Sequence, residues 1–236
     1  MTKTLRHTTY PSYNQSNLIA KTDPTLVLHL SKEIPQDEKN STWYDYSNYG
    51  NHGTIYGAQY TSEGLSFDGV DDYVHVSDSE ILHTVQNGRV MSIGTWINVK
   101  GNPTGNWFIV NKQHFIQFWH WAGSLTFQLK FSDDTWRGPF YSWTPALDVW
   151  YHVIGTYDGS TIKLYINGIQ VATTSYTDNL FSQYDNMRIG NYMEGGYPFN
   201  GLIDNVRIYN RALSDTEIST LYNRTKQEIL YRRVYL

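Results

Sequence analysis

Residues 150–174, WYHVIGTYDGSTIKLYINGIQVATT, decide the fold class. WYHVIGTYD and TIKLYI are short runs rich in β-branched and aromatic residues, parted by Gly159 and Ser160, and a third run, IQVATT, follows Asn167-Gly168. An Asn-Gly pair between alternating apolar runs supplies the positive φ values of a type I′ turn. The pair therefore predicts a hairpin, with Ile162, Leu164 and Ile166 on one face. The same text continues outward in both directions. TLVLHL, SFDG, DYVHV, MSIGTWINV, FIVNK, FIQFW, LTFQLKF, MRIGN and GLIDNVRIY are further runs of this kind, separated by Gly, Asn, Asp or Pro. Together they predict an all-β chain built as a two-sheet antiparallel β-sandwich. Alternation points Phe67, Val74, Ile93, Trp96, Ile97, Val153, Leu164, Ile166, Ile189 and Ile208 into one core between the sheets.

One short C-terminal helix is expected. Ser214-Asp215-Thr216-Glu217 has the form of a capping box, and Ile218, Leu221 and Tyr222 follow as one stripe. Residues 1–24 are polar and without apolar period, which reads as an N-terminal arm. Residues 25–224 carry the domain, and residues 225–236 read as a basic and apolar tail.

Composition narrows the function classes. Charged residues make up 17% of the 236 and the net charge is −4, so a basic protein built for polyanions and a highly charged disordered chain are both excluded, and nucleic acid is not an expected partner. Zero cysteines exclude disulfides, thiolate catalysis and Cys-based zinc sites. No apolar stretch reaches the roughly 18 residues of a membrane span, so membrane insertion is not expected. The start MTKTLRHTTYPSYNQSN lacks the apolar centre of a signal peptide, so synthesis in the cytoplasm is expected.

Six stretches in order carry a family likeness: DYSNYGNHGTIYGA (45–58), GLSFDGVDDYVHV (64–76), MSIGTWINV (91–99), WYHVIGTYDGSTIKLYINGIQV (150–171), MRIGN (187–191) and FNGLIDNVRIYNRALSDTEISTLY (199–222). They resemble the motifs of laminin G-like domains of the concanavalin A-like lectin/glucanase superfamily, over about residues 25–224. The resemblance implies a jelly-roll sandwich. It leaves function open, because that fold hosts lectins, carbohydrate-binding modules, glycanases, lyases and structural domains.

In GLIDNVRIY, alternation sets Asp204 on one face with Leu202, Val206 and Ile208, where a carboxylate is costly unless paired, hydrogen-bonded or metal-bound. The resemblance implies a structural Ca²⁺ near such positions. Asp68, Asp71 and Asp72 in FDGVDD form a hard oxygen cluster of the type calcium favours, and Asp45 matches the first acid of the family's DxSxxxNxG loop. These acids equally suit the capping of turns through backbone amides.

Aromatic residues concentrate between Asn102 and Trp143, and every Trp but Trp43 lies between Trp96 and Trp150. Sugar rings stack their C–H faces on aromatics while their hydroxyls seek planar polar groups. Trp107, Trp119, Trp121, Trp136, Tyr141 and Trp143 beside His114, Gln117, His120 and Arg137 are thus a candidate glycan platform. The same pattern describes a fully covered central strand or a subunit interface. The glycanases of the superfamily carry an ExDxxE strand that is not found here, and the glutamates are scattered, so no catalytic residues and no enzyme are expected.

These readings lead to a non-catalytic subunit of a larger particle, such as a virus or phage decoration or fibre protein on a virion surface. Its partners would be other protein subunits and surface glycans. A secreted carbohydrate-binding module or lectin is the alternative, with an extracellular location, and a glycanase or polysaccharide lyase the weaker one. The assembly anchors expected on the arm are Tyr10, Tyr13, Leu18 and Ile19; those on the tail are Ile229, Leu230, Tyr231, Arg232 and Arg233.

Overall fold

The structure, a computed structural model, describes residues 23–31, 41–102, 104–181, 183–193 and 195–235, with side chains described as far as Leu230. Seventeen strands and two helices follow one another along the described chain. They are β1 (Leu26–Leu30), β2 (Thr42–Trp43), β3 (Gly53–Tyr56), β4 (Gln59–Tyr60), β5 (Leu65–Asp68), β6 (Tyr73–Val76), α1 (Glu80–Asn87), β7 (Met91–Val99), β8 (Trp107–Lys112) and β9 (Ile116–Trp121). Then come β10 (Ser124–Lys130), β11 (Trp136–Arg137), β12 (Phe140–Ser142), β13 (Trp150–Tyr157), β14 (Thr161–Ile166), β15 (Ile169–Ser175), β16 (Met187–Ile189), β17 (Asn200–Tyr209) and α2 (Asp215–Tyr235). Each of the twelve runs read from the sequence is a strand.

Two antiparallel sheets result. The first runs β15-β14-β13-β7-β17-β5-β4, with β1 also on β17; the second runs β11-β10-β9-β8-β16-β6-β3-β2, with β12 also on β10. Asn167 (φ 52°) and Gly168 (φ 80°) form the turn that joins β14 to β15, as the Asn-Gly pair requires. The two sheets face each other so closely that a Cβ on Gly155 of β13 would lie 2.2 Å from the Phe127 ring of β10. Only glycine fits at that crossing.

Nine of the ten residues expected in the core share one cluster: Phe67, Val74, Ile93, Ile97, Val153, Leu164, Ile166, Ile189 and Ile208. Trp96 is the correction. It is buried on the opposite face of β7, with Trp150, Leu202 and Ile229, because adjacent residues of a strand cannot point the same way. A second correction concerns β17. The register with β7 shifts between Asp204 and Arg207, where Asn205 takes φ 58°. This bulge resets the alternation. Val206 and Ile208 join Ile203 in the core, whereas Leu202, and Asp204 with it, face outward.

That outer face is roofed by α2. Its start is the expected capping box: the Ser214 amide donates to Glu217 Oε2 (2.8 Å) and the Glu217 amide to Ser214 Oγ (3.3 Å). Ile218 and Leu221 pack on Leu26, Ile154, Tyr165 and Tyr209. Farther along, Trp96 Nε1 donates to Thr225 Oγ1 (2.8 Å). The helix is thus a long one and continues through the stretch read as a tail, so the expected boundary at 224 falls inside it. Ile229, expected to serve assembly, is instead buried on its own sheet; Leu230 is exposed. Tyr10, Tyr13, Leu18 and Ile19, and the side chains of Tyr231, Arg232 and Arg233, lie outside the described residues.

Candidate functional site

The second sheet turns its other face to solvent. On β9 the alternation is strict: Ile116, Phe118 and His120 are buried, while Gln117, Trp119 and Trp121 are half-buried and outward. On β8 a register shift between Phe108 and Val110 sends Ile109 and Val110 inward and leaves Phe108 outward, beneath Trp119. The Phe108 and Trp119 rings are stacked at 4.6 Å and 17°, and Trp121 lies 4.6 Å beyond Trp119.

A loop completes the surface. After β16 the chain runs through Asn191, Tyr192 and Met193 to Gly195, Gly196 and Tyr197, the last three all with positive φ. It is tied down on β8 by the Phe108 amide, which donates to the Tyr197 carbonyl (3.0 Å), and by the Met193 amide, which donates to Asn111 Oδ1 (3.2 Å). Tyr192 is thereby set 5.2 Å from Phe108, and Tyr197 5.7 Å from Trp121, edge-on. Toward β6 the aromatic run continues with Tyr73, stacked on Tyr56 at 4.6 Å, under the Arg188 guanidinium at 4.1 Å. The strand registers line His75, Arg188, Asn111, Gln117 and Gln128 in one row across the sheet beside these rings, Asn111 being buried. Flat apolar rings next to planar polar groups form a surface on which a saccharide chain can stack and hydrogen-bond.

Of the platform residues expected from the sequence, Trp119 and Trp121 are on this face. Trp107 and His120 are not. They stack on each other at 4.7 Å inside the sandwich, and the two His120 ring nitrogens face the carbonyls of Gly105 (2.6 Å) and Trp143 (2.9 Å). His114 pairs with Asp185 (2.8 Å) in the β8–β9 turn. Trp136 and Arg137 sit on edge strand β11, with Arg137 5.1 Å above the Tyr176 ring. Tyr141 and Trp143 pack against the core, Trp143 edge-on to Tyr151. Phe108, Tyr192, Tyr197, Tyr73 and Arg188 were not singled out, although the Gly195-Gly196 pair inside an aromatic stretch was a signal for a loop that folds back.

The acidic residues divide into two kinds. Asp45 is a clamp: Oδ1 accepts from the His29 (2.8 Å) and Ser47 (2.9 Å) amides, and Oδ2 from Ser47 Oγ (2.7 Å) and the Asn51 amide (2.7 Å). Both oxygens are thus spent on binding the loop to β1. Asp68, Asp71 and Asp72 come together, with one carboxylate oxygen of each within 4.8 Å of the others; Asp45 and Asp204 stand outside that group. Burial first, then the charges of Asp68 and Asp71, push the Asp72 carboxyl above its usual pKa, against the hydrogen bond that Asp72 accepts from the Asp68 amide (2.8 Å). Crowded hard oxygens of this kind fit a Ca²⁺ donor set. Asp204 is fully buried on β17, opposite Trp96. A separate open cleft of about 200 Å³ lies between Tyr209, Leu213 and the first turns of α2, and Arg211 within it is committed to Glu217 (2.9 Å) and Asp23 (3.7 Å).

A laminin G family model, described as the concanavalin A-like lectin/glucanases superfamily, matches residues 68–219. A search of curated proteins finds no match. Among solved structures, the chain is similar to the binding domain of Paraclostridial Mosquitocidal Protein 1, with TM-score 0.67 and 18% identity over 85% of this chain and 52% of that one. The botulinum neurotoxin serotype D binding domain aligns with TM-score 0.65 and 16% identity, over 84% and 51%. The binding domain of botulinum neurotoxin DC in complex with SialylT aligns with TM-score 0.63 and 18% identity, over 85% and 51%. The chain spans about half the length of these structures, and at such identities the likeness is one of fold.

Proposed function

The chain belongs to the concanavalin A-like lectin/glucanases superfamily, and from that premise we propose that it is a non-catalytic, glycan-binding lectin-like domain whose contact surface is the outer face of the second sheet. The observation that carries the reading is the outward aromatic run Phe108, Trp119, Trp121 and Tyr197, beside the row of Arg188, Gln117 and Gln128. Core packing does not account for it, because Trp119 and Trp121 point away from the core and are only half-buried. That several similar structures are receptor-binding domains, one of them in complex with SialylT, supports the reading. Four stacked rings worth on the order of 1 kcal/mol each place single-site affinity at about millimolar.

Asp68, Asp71 and Asp72, just ahead of Tyr73 in the chain, are proposed as a structural calcium site. The particle or virion surface expected from the sequence is kept as the setting, fastened by the arm at residues 1–24, of which residues 1–22 lie outside the described residues. The test is a glycan array followed by titration calorimetry with the best oligosaccharide. The Trp119→Ala/Trp121→Ala variant is expected to stay folded and bind at least about tenfold more weakly. Equal binding by wild type and variant contradicts the proposal.

A further inference from the structure

Arg188 carries more than the stacking role. It stands in the outer face of the second sheet between His75 of β6 and Asn111 of β8. Its guanidinium lies on the Tyr73 ring at 4.1 Å, and Nη1 donates to the Tyr192 carbonyl (3.1 Å). Nε is buried and meets no acceptor. A guanidinium offers five N–H donors, and among the described residues one is spent. No described carboxylate forms an ion pair with it. Its charge is felt next door: after burial, the Arg188 charge is the second cause holding His75 below the usual histidine pKa. Asn111 cannot serve as an alternative polar handle, because its Oδ1 accepts from Met193 and its Nδ2 donates to the Ile116 carbonyl (3.3 Å). Thus a cation that meets no carboxylate among the described residues sits within an aromatic face, on a chain whose net charge is −4. That overall charge offers no general attraction for anions, so any preference for them must be local.

Resting on the glycan reading of this same face, we propose that the platform selects anionic saccharides. A sugar carboxylate or sulfate ester would supply the counter-charge and the acceptors that Arg188 lacks among the described residues, while neighbouring rings of the saccharide stack on Trp119 and Trp121. A planar fork suits a two-oxygen anion better than an ammonium does.

The test is calorimetric titration of the whole chain with matched oligosaccharides on one backbone: neutral, carboxylated and sulfated. At least one anionic member is expected to bind about tenfold tighter than the neutral one, and which of the two does so identifies the anion. Arg188→Gln is expected to bring anionic and neutral members to within about twofold of each other, the ratio of the two affinities being the readout. Arg188→Lys, which keeps charge and stem, is expected to retain part of the preference. Equal affinities in the wild type, or a preference that survives in Arg188→Gln, overturn the inference and leave glycan binding standing. Failure to bind any of the three, neutral included, overturns both.

Discussion

At the scale of single residues, burial sets the behaviour of the ionisable groups, and it does so with opposite signs at two of them. His152 of β13 lies under α2, tilted against Trp96 at 5.0 Å, and its Nδ1 has no hydrogen-bond partner. Burial, then the charge of Arg207, holds its pKa down to about 3. Between that value and the 6.5 of a free histidine, the unfolded chain binds more protons than the folded one. The stability associated with neutral His152 is therefore complete above about pH 6.5 and is lost as pH falls toward 3, by up to about 1.4 kcal/mol per pH unit. Urea unfolding between pH 7.5 and 4 is expected to show this loss in the wild type and a flatter profile in His152→Gln. Asp72 has the reverse sign: its carboxyl is raised, so the folded chain holds the extra proton and stability falls as pH rises through that window. In the presence of a chelator, Asp72→Asn is expected to raise Tm by about 2–4 °C. Added Ca²⁺ is expected to stabilise the wild type and not the variant, as followed by thermal melts. The sequence showed which acids were candidates, but it did not show that Asp45 is saturated by amides of two distant segments, since that depends on β1 lying alongside the loop.

Elements were most legible where a few adjacent residues fix the geometry. Asn167-Gly168 and Ser214 through Glu217 form the turn and the cap that their types demand. Arg211 reinforces the cap, and its hydrogen bond is the first cause holding Glu217 down at about 2. Ser214→Ala is expected to cost about 1 kcal/mol and lower Tm by about 2–4 °C, measured by calorimetry. Elements were less legible where the decisive partner is remote. The stripe of α2 continues through Thr225 to Ile229, but a polar residue breaks its apolar pattern, and Thr225 belongs there because Trp96 donates to it. α1 escaped notice because Ser79 makes no side-chain cap and only Leu82, Val85 and Gln86 are buried. The bulge at Asn205 has no sequence mark beyond an Asn in a strand, yet it decides which of Asp204 and Val206 faces the core.

At the scale of the whole molecule, the two sheets have different outer faces. α2 roofs the first; aromatic rings and a row of polar side chains cover the second. The density of aromatic residues between Asn102 and Trp143 was visible in the sequence, but their division was not. Trp107 and His120 turn inward while Trp119 and Trp121 turn out, a sorting set by strand register and by the bulge in β8. Tyr192 and Tyr197 reach the platform only because the glycine-rich loop folds back over β8. The proposed function requires that this face, and no other, meets saccharide. The most direct measurement is a titration of the chain with an oligosaccharide that it binds, following the assigned indole N–H signals of its tryptophans by NMR. Trp119 and Trp121 are expected to shift progressively with saccharide concentration, while the buried Trp43, Trp96 and Trp107 hold still. Shifts confined to Trp136, Trp143 or Trp150, with Trp119 and Trp121 unmoved, would contradict the proposed function.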